Sequence, residues 1–98
     1  MPAYIIVEVT VHDSAAYEAY KRLTPASIAA FEGKFIVRGG PATTLEGSWQ
    51  PERIVVLQFP SRDLAHQWWE SSEYAPAKAI RQASATTKMI LIEGPEML

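Results

Sequence analysis

Four short apolar runs, each bounded by turn residues, set the frame of this 98-residue chain. Ala3 to Val11 alternates and is rich in β-branched side chains, which predicts a first strand. Lys34–Arg38, Arg53–Phe59 and Thr87–Glu93 predict three more, stopped by Gly39-Gly40-Pro41, by Pro60 and by Gly94-Pro95. After Asp13 or Ser14, either of which can cap, an Ala-, Tyr-, Glu- and Lys-rich segment predicts a helix with Ala16, Tyr20 and Leu23 on its apolar stripe. Thr24-Pro25 predicts an interruption, because proline disfavours helix in the preceding residue yet suits the first turn of a new one. The second piece, Ala26 to Phe31, would bury Ile28 and Phe31 and end at Gly33. Ser61 then caps another helix, with Asp63 in its first turn and Leu64, Ala65, Trp68 and Trp69 at helical spacing. Ser71 to Glu73 breaks that helix, and Tyr74 to Gln82 resumes it through Pro76.

The order strand–helix–strand occurs twice, which is the split βαβ, ferredoxin-like pattern. The expected fold class is therefore α+β: a βαββαβ chain with a four-stranded antiparallel sheet and kinked helices on one face, forming a single domain over residues 1–98. Helices on one face leave the other bare. Yet Ile5-Ile6-Val7, Ile54-Val55-Val56-Leu57 and Met89-Ile90-Leu91-Ile92 are apolar on both faces and require cover on both. A second copy, sheet against sheet, supplies it, so a homodimer is expected. If Ile5, Val7 and Val9 face the helices, Tyr4, Ile6, Glu8 and Thr10 face the partner. Simple alternation puts Ile36, Arg38, Ile54, Val56 and Gln58 on that same face. Glu8, Arg38 and Gln58 would then be polar groups inside an inter-sheet cavity, in need of partners.

Composition narrows the function. A hydrophobic content of 48% is that of a globular domain, and a net charge of −2 lacks the basic face that nucleic-acid binding needs. Without cysteine, disulfides, thiolate catalysis and cysteine-based metal sites are excluded. Neither a signal-peptide pattern nor an apolar run of about 20 residues is present, so a cytoplasmic protein without a membrane partner is expected.

Chemistry concentrates between Arg38 and Arg53, where two arginines, two glutamates, a tryptophan and three glycines join two apolar strands. Arg38, Glu46 and Arg53 form the sharpest constellation. An arginine fork suits a small carboxylate, while the plainer alternative is an Arg–Glu pair that pins the loop. Trp49 suits either a planar ligand or an interface with the partner, together with Tyr4 and Ile6. His12, beside Asp13, is a candidate general base or an exposed turn residue. Tyr20 is the best placed of three tyrosines to offer a phenol, since its helix overlies the sheet end carrying Arg38. Glu8 completes the candidate pocket. The two histidines lack matched carboxylates, so no metal site is expected. No phosphate-cradling glycine loop or nucleophile elbow is present.

Several of these segments taken together resemble a known family. They are Arg38-Gly39-Gly40; Leu45-Glu46-Gly47 with Trp49, Pro51 and Arg53; Phe59-Pro60-Ser61; Ala65 with Trp68-Trp69; Ser72-Glu73-Tyr74; and Arg81. The chain resembles domain-of-unknown-function family 1330 of the dimeric α/β barrel superfamily over nearly its whole length. The resemblance implies a ferredoxin-like monomer that pairs through its sheet into a barrel. It also implies a superfamily that spans cofactor-free monooxygenases, lactone isomerases and haem-handling enzymes, so fold does not decide function. Trp69 departs from the tyrosine more common there. Two readings follow. In one, the protein binds a small anionic or carbonyl-containing molecule and needs no cofactor for isomerisation or oxygenation of it. In the other, it is a non-catalytic structural or regulatory homodimer whose Arg38–Arg53 hairpin serves dimerisation.

Overall fold

The computed structural model describes residues 1–94 and orders them as β1 (Ala3–Val11), α1 (Ser14–Ala29), β2 (Lys34–Arg38), β3 (Arg53–Phe59), α2 (Arg62–Glu70), α3 (Ala75–Ser84) and β4 (Ala85–Glu93). The strands form one antiparallel sheet in the order β2-β3-β1-β4, which is the expected ferredoxin-like arrangement. The bounds of β1, β2 and β3 coincide with the apolar runs. β4 begins at Ala85 rather than Thr87, directly on the end of α3. Pro95 lies outside the described residues. Gly94 donates its N–H to the Pro2 carbonyl at 2.7 Å, so the strand does close there.

The expected division of faces holds on β1. Ala3, Ile5, Val7 and Val9 are buried beneath the helices with Val55, Leu57, Phe59, Ile28, Ala65 and Trp68. Tyr4, Ile6, Glu8 and Thr10 alternate with them and point away, and their register partners Ile54, Val56, Gln58, Lys88, Ile90 and Ile92 share that open face. Ile90 is 58% exposed and Ile92 49%.

Helix α1 runs unbroken through Pro25, contrary to the expected interruption. A proline inside a helix leaves the carbonyl four residues earlier without its donor and crowds it. Here the neighbouring turn is held by side chains: Thr24 Oγ1 donates to the Tyr20 carbonyl at 2.6 Å and Ser27 Oγ to the Thr24 carbonyl at 2.7 Å. Ser27 Oγ also accepts the indole N–H of the buried Trp68 at 3.1 Å. The buried stripe accordingly consists of Tyr17, Thr24, Ser27 and Ile28, with Leu23 nearly half exposed. Ala16, Tyr20 and Leu23 fit helical spacing equally well, but Thr24 and Ser27, whose hydroxyls are satisfied by backbone carbonyls and the Trp68 indole, turn the helix about one residue round. Past α1, the left-handed position is Glu32 (φ 62°), not Gly33. Gly33 is required by packing, since a Cβ there would lie 2.5 Å from the Phe59 ring.

Candidate active site

One feature of β2 decides where the site lies. Phe35 pairs with Leu57 and Val37 with Val56, so Ile36 is an extra residue in the ladder. A bulge of this kind reverses the faces of everything beyond it. Arg38 therefore pairs with Val55 and turns to the helix side of the sheet, not to the open face that simple alternation gave it. Its guanidinium carbon sits 4.3 Å from the centre of the Phe35 ring.

Under α1 and α3 this places a cavity lined by Val7, Val9, Val55, Leu57, Phe35, Trp68 and Met89 as apolar wall, and by Tyr20, Thr24, Lys21, Arg38, Arg53 and Arg81 as polar wall. As it stands the space is narrow, about 30 Å3, enough for roughly two waters. The arginines come from three different elements. Arg38 ends β2 and is exposed at the residue level. Arg53 opens β3, with its guanidinium carbon 5.8 Å from the Tyr17 ring centre. Arg81 lies on α3 and is only 4% exposed.

The electrostatics are one-sided. No carboxylate lines the cavity among the described residues. The ion pairs among them are Lys21–Glu18 and His66–Glu70, so none of the three arginines has an anionic partner there. A guanidinium does not lose its proton in a protein. Arg81 is thus a buried permanent charge whose described contacts are neutral: Nε donates to Tyr74 Oη at 3.1 Å and Nη1 to Thr87 Oγ1 at 2.5 Å. Arg53 Nε is buried with no partner at all among the described residues. Unpaired buried charge and orphaned buried donors are costly, and sites that retain them commonly hold an anion.

Tyr74 extends the network to the cavity. Its hydroxyl lies 2.9 Å from that of Tyr20, which lines the space. Burial, reinforced by the adjacent Tyr74 hydroxyl, pushes the Tyr20 phenol well above the ordinary phenol range. Tyr20 is therefore a proton holder at neutral pH and a poor base. Trp68 stacks against Tyr74 with ring centres 4.0 Å apart and keeps both rings in place.

The other sequence candidates lie elsewhere. Glu46 is exposed in the loop beside Thr44, Trp49 and Pro51, so the grouping of Glu46 with Arg38 and Arg53 does not hold, nor does a loop pinned by an Arg–Glu pair. The loop bends far enough to carry Glu46 away from the two arginines, both of which line the cavity under the helices. Glu8 is on the open face, where Oε2 accepts the indole N–H of Trp49 at 3.0 Å. His12 contacts Thr86 Oγ1 through Nε2 at 2.5 Å, and Asp13 is occupied as the cap of α1, accepting from Ala16 N at 3.1 Å. A His12–Asp13 couple is not formed. Among the described residues no three His, Asp or Glu side chains gather as a metal site requires, and no helix is long and apolar enough to cross a membrane. Arg81 was not among the sequence candidates for the pocket, although a signal was present: Tyr74, Ala77, Arg81 and Ser84 are spaced three, four and three apart, the stripe of a buried helix face, with a charge in the middle of it.

Comparison with known proteins agrees with this architecture. Residues 2–95 match the model of a family described as Domain of unknown function (DUF1330). No curated protein matches. Among solved structures, a protein of unknown function from Rhodopseudomonas palustris aligns with TM-score 0.80 at 18% identity, over 98% of this chain and 84% of that one. SnoaB from Streptomyces nogalater, described as a cofactor-independent oxygenase, aligns with TM-score 0.65 at 19% identity, over 99% and 96%. A dimeric protein of unknown function and ferredoxin-like fold from Bacteroides fragilis aligns with TM-score 0.60 at 14% identity, over 95% and 96%. At these identities the likeness is one of fold.

Proposed function

This chain belongs to the DUF1330 family, and we propose that it is a homodimer in which each protomer binds a small organic anion in the cavity beneath its helices. The observation that carries the reading is the charge of that cavity: three arginines, one of them buried, and no carboxylate among the described lining residues. Arginine forks recognise carboxylates bidentately, and the apolar wall of Val9, Leu57, Phe35 and Met89 suits a short carbon body. The same guanidiniums would carry the charge of an enolate formed from such a ligand, the kind of oxyanion that fixed donors stabilise. Cofactor-free isomerisation or oxygenation is the chemistry this supports. The fold shared with a cofactor-independent oxygenase is compatible with it.

Dimerisation is supported by the open sheet face, where Ile6, Ile54, Val56, Ile90 and Ile92 lie together, and by the dimeric description of the Bacteroides fragilis structure. Trp49, 61% exposed and tied to Glu8, belongs to that face rather than to the cavity. These features also favour the second reading, a purely structural dimer. Titration calorimetry with acetate, propionate, pyruvate and benzoate separates the two. Anion binding predicts saturable heat with Kd of roughly 1 mM or tighter for at least one acid, weakened at least tenfold (about 1.4 kcal/mol) in Arg81→Met. Absence of saturable binding across the series leaves the structural dimer.

A further inference from the structure

Hydrogen-bond bookkeeping along Arg81, Tyr74 and Tyr20 fixes a direction. Arginine has donors and no acceptor, so the Arg81 Nε–H must donate to Tyr74 Oη. Tyr74 is completely buried, and its hydroxyl still owns a hydrogen that needs an acceptor. Among its described contacts the acceptor is Tyr20 Oη, at 2.9 Å. Tyr74 therefore donates to Tyr20. The hydrogen of Tyr20 is then not used in that bond. Tyr20 lines the cavity beside Thr24, whose hydroxyl donates to the Tyr20 carbonyl at 2.6 Å and keeps its acceptor lone pairs. The result is a donor relay that starts on a buried cation and leaves a phenolic O–H available at the cavity wall.

We propose that Tyr20 is a ligand-contacting hydrogen-bond donor, oriented by Tyr74 and Arg81, and that the ligand is a 2-oxo carboxylate: its carboxylate meets the arginines and its keto oxygen meets the Tyr20 hydroxyl. This rests on the anion-binding reading above and deepens it by naming a second ligand group. A polar end made of guanidinium and ammonium donors and of hydroxyls that can donate favours an oxygen that brings only lone pairs. It disfavours a methylene at the same place, because the phenol would lose its partner on closing. The narrowness of the cavity, about 30 Å3, favours short acids over aromatic ones. In this arrangement Tyr74 and Arg81 differ in role. Arg81 lines the cavity and contacts the anion, whereas Tyr74 acts through Tyr20 and is a positioning residue.

The test compares pyruvate with propionate, which differ at C2 by a carbonyl in place of a methylene. Binding of each is measured by calorimetry to the wild-type protein and to Tyr20→Phe and Tyr74→Phe. Carbon-13 NMR of C2-labelled pyruvate is recorded on the wild type, so that the proposal does not depend on either variant folding. Expected are a preference for pyruvate of roughly tenfold or more, a downfield C2 shift on binding, and a preference that falls towards unity in both variants through weaker pyruvate binding. If both acids bind with equal affinity and C2 does not move, the role of Tyr20 is overturned while anion binding stands. If neither acid binds, the anion site itself is overturned and this inference with it.

Discussion

Gly39 rests on the guanidinium of Arg53: a Cβ at position 39 would lie 2.4 Å from Arg53 Cζ, and the glycine has φ +82°. The contact couples the end of β2 to the beginning of β3, and so fixes one wall of the cationic cavity. Gly47 has nearly the same conformation, φ +81°, with nothing within 4 Å of the same position. The pair separates backbone strain from site geometry. Gly39→Ala and Gly47→Ala should each lose about 1–2 kcal/mol to the left-handed conformation, measured by urea unfolding. Arg53 is the flexible end of a side chain and can yield, so Gly39→Ala should additionally weaken anion binding. Equal anion affinity in the two variants would show that Arg53 does not contribute.

Arg81 is held at a cost to the empty protein. Replacing a buried charge by an apolar side chain of similar length is commonly neutral or stabilising. Arg81→Met should unfold at the same or higher urea concentration than wild type without ligand, by up to about 1–2 kcal/mol after allowing for its bonds to Tyr74 and Thr87, and should no longer be stabilised by added acid. A large loss of stability in the absence of ligand would instead make Arg81 a structural residue.

Burial holds Tyr20 neutral, and the sign of the resulting pH dependence follows. A phenol whose folded pKa is raised gives up its proton more readily in the unfolded chain, so its contribution is intact below the unfolded value near 10 and is lost as pH climbs beyond it. Between about pH 10 and 12 the wild type should lose stability at up to roughly 1.4 kcal/mol per pH unit from this group. Tyr20→Phe should lack that component in the same alkaline denaturation series. Parallel curves for the two proteins would contradict the burial argument.

Ile90 sits on the open face, 58% exposed and opposite Ile6. Ile90→Glu should convert the proposed dimer to monomer in sedimentation velocity, because a carboxylate cannot be buried unpaired between two sheets. A wild-type protein that sediments as a monomer at micromolar concentration would remove the dimer from the account.

What the sequence made legible divides along physical lines. The ends of β2 and β3 were readable because their apolar runs stop at glycine and proline, at Arg38-Gly39 and Phe59-Pro60, whereas β4 starts two residues early because no such residue separates it from α3. The second helix pair was readable because Ser61 and Ser71–Glu73 punctuate it, and Ser61 does cap it, accepting from Leu64 N at 3.2 Å. The face of Arg38 was not readable, since a one-residue bulge at Ile36 has no composition signature and inverts everything after it. The continuity of α1 through Pro25 depended on hydroxyl bonds from Thr24 and Ser27 that a propensity argument does not count. Arg38, Arg53 and Tyr20, which line the cavity, were candidates on residue type alone, whereas the separation of Glu46, Glu8 and His12 from them needed three-dimensional placement.

The most direct measurement of the central claim is the NMR signal of each arginine Nε–Hε group during titration with pyruvate. The cavity reading predicts saturable, joint movement of the Arg38, Arg53 and Arg81 resonances, largest at Arg53, whose Nε lacks a described partner, with the remaining arginines still. Resonances that stay in place for those three, or shift equally for all arginines without saturation, would contradict it.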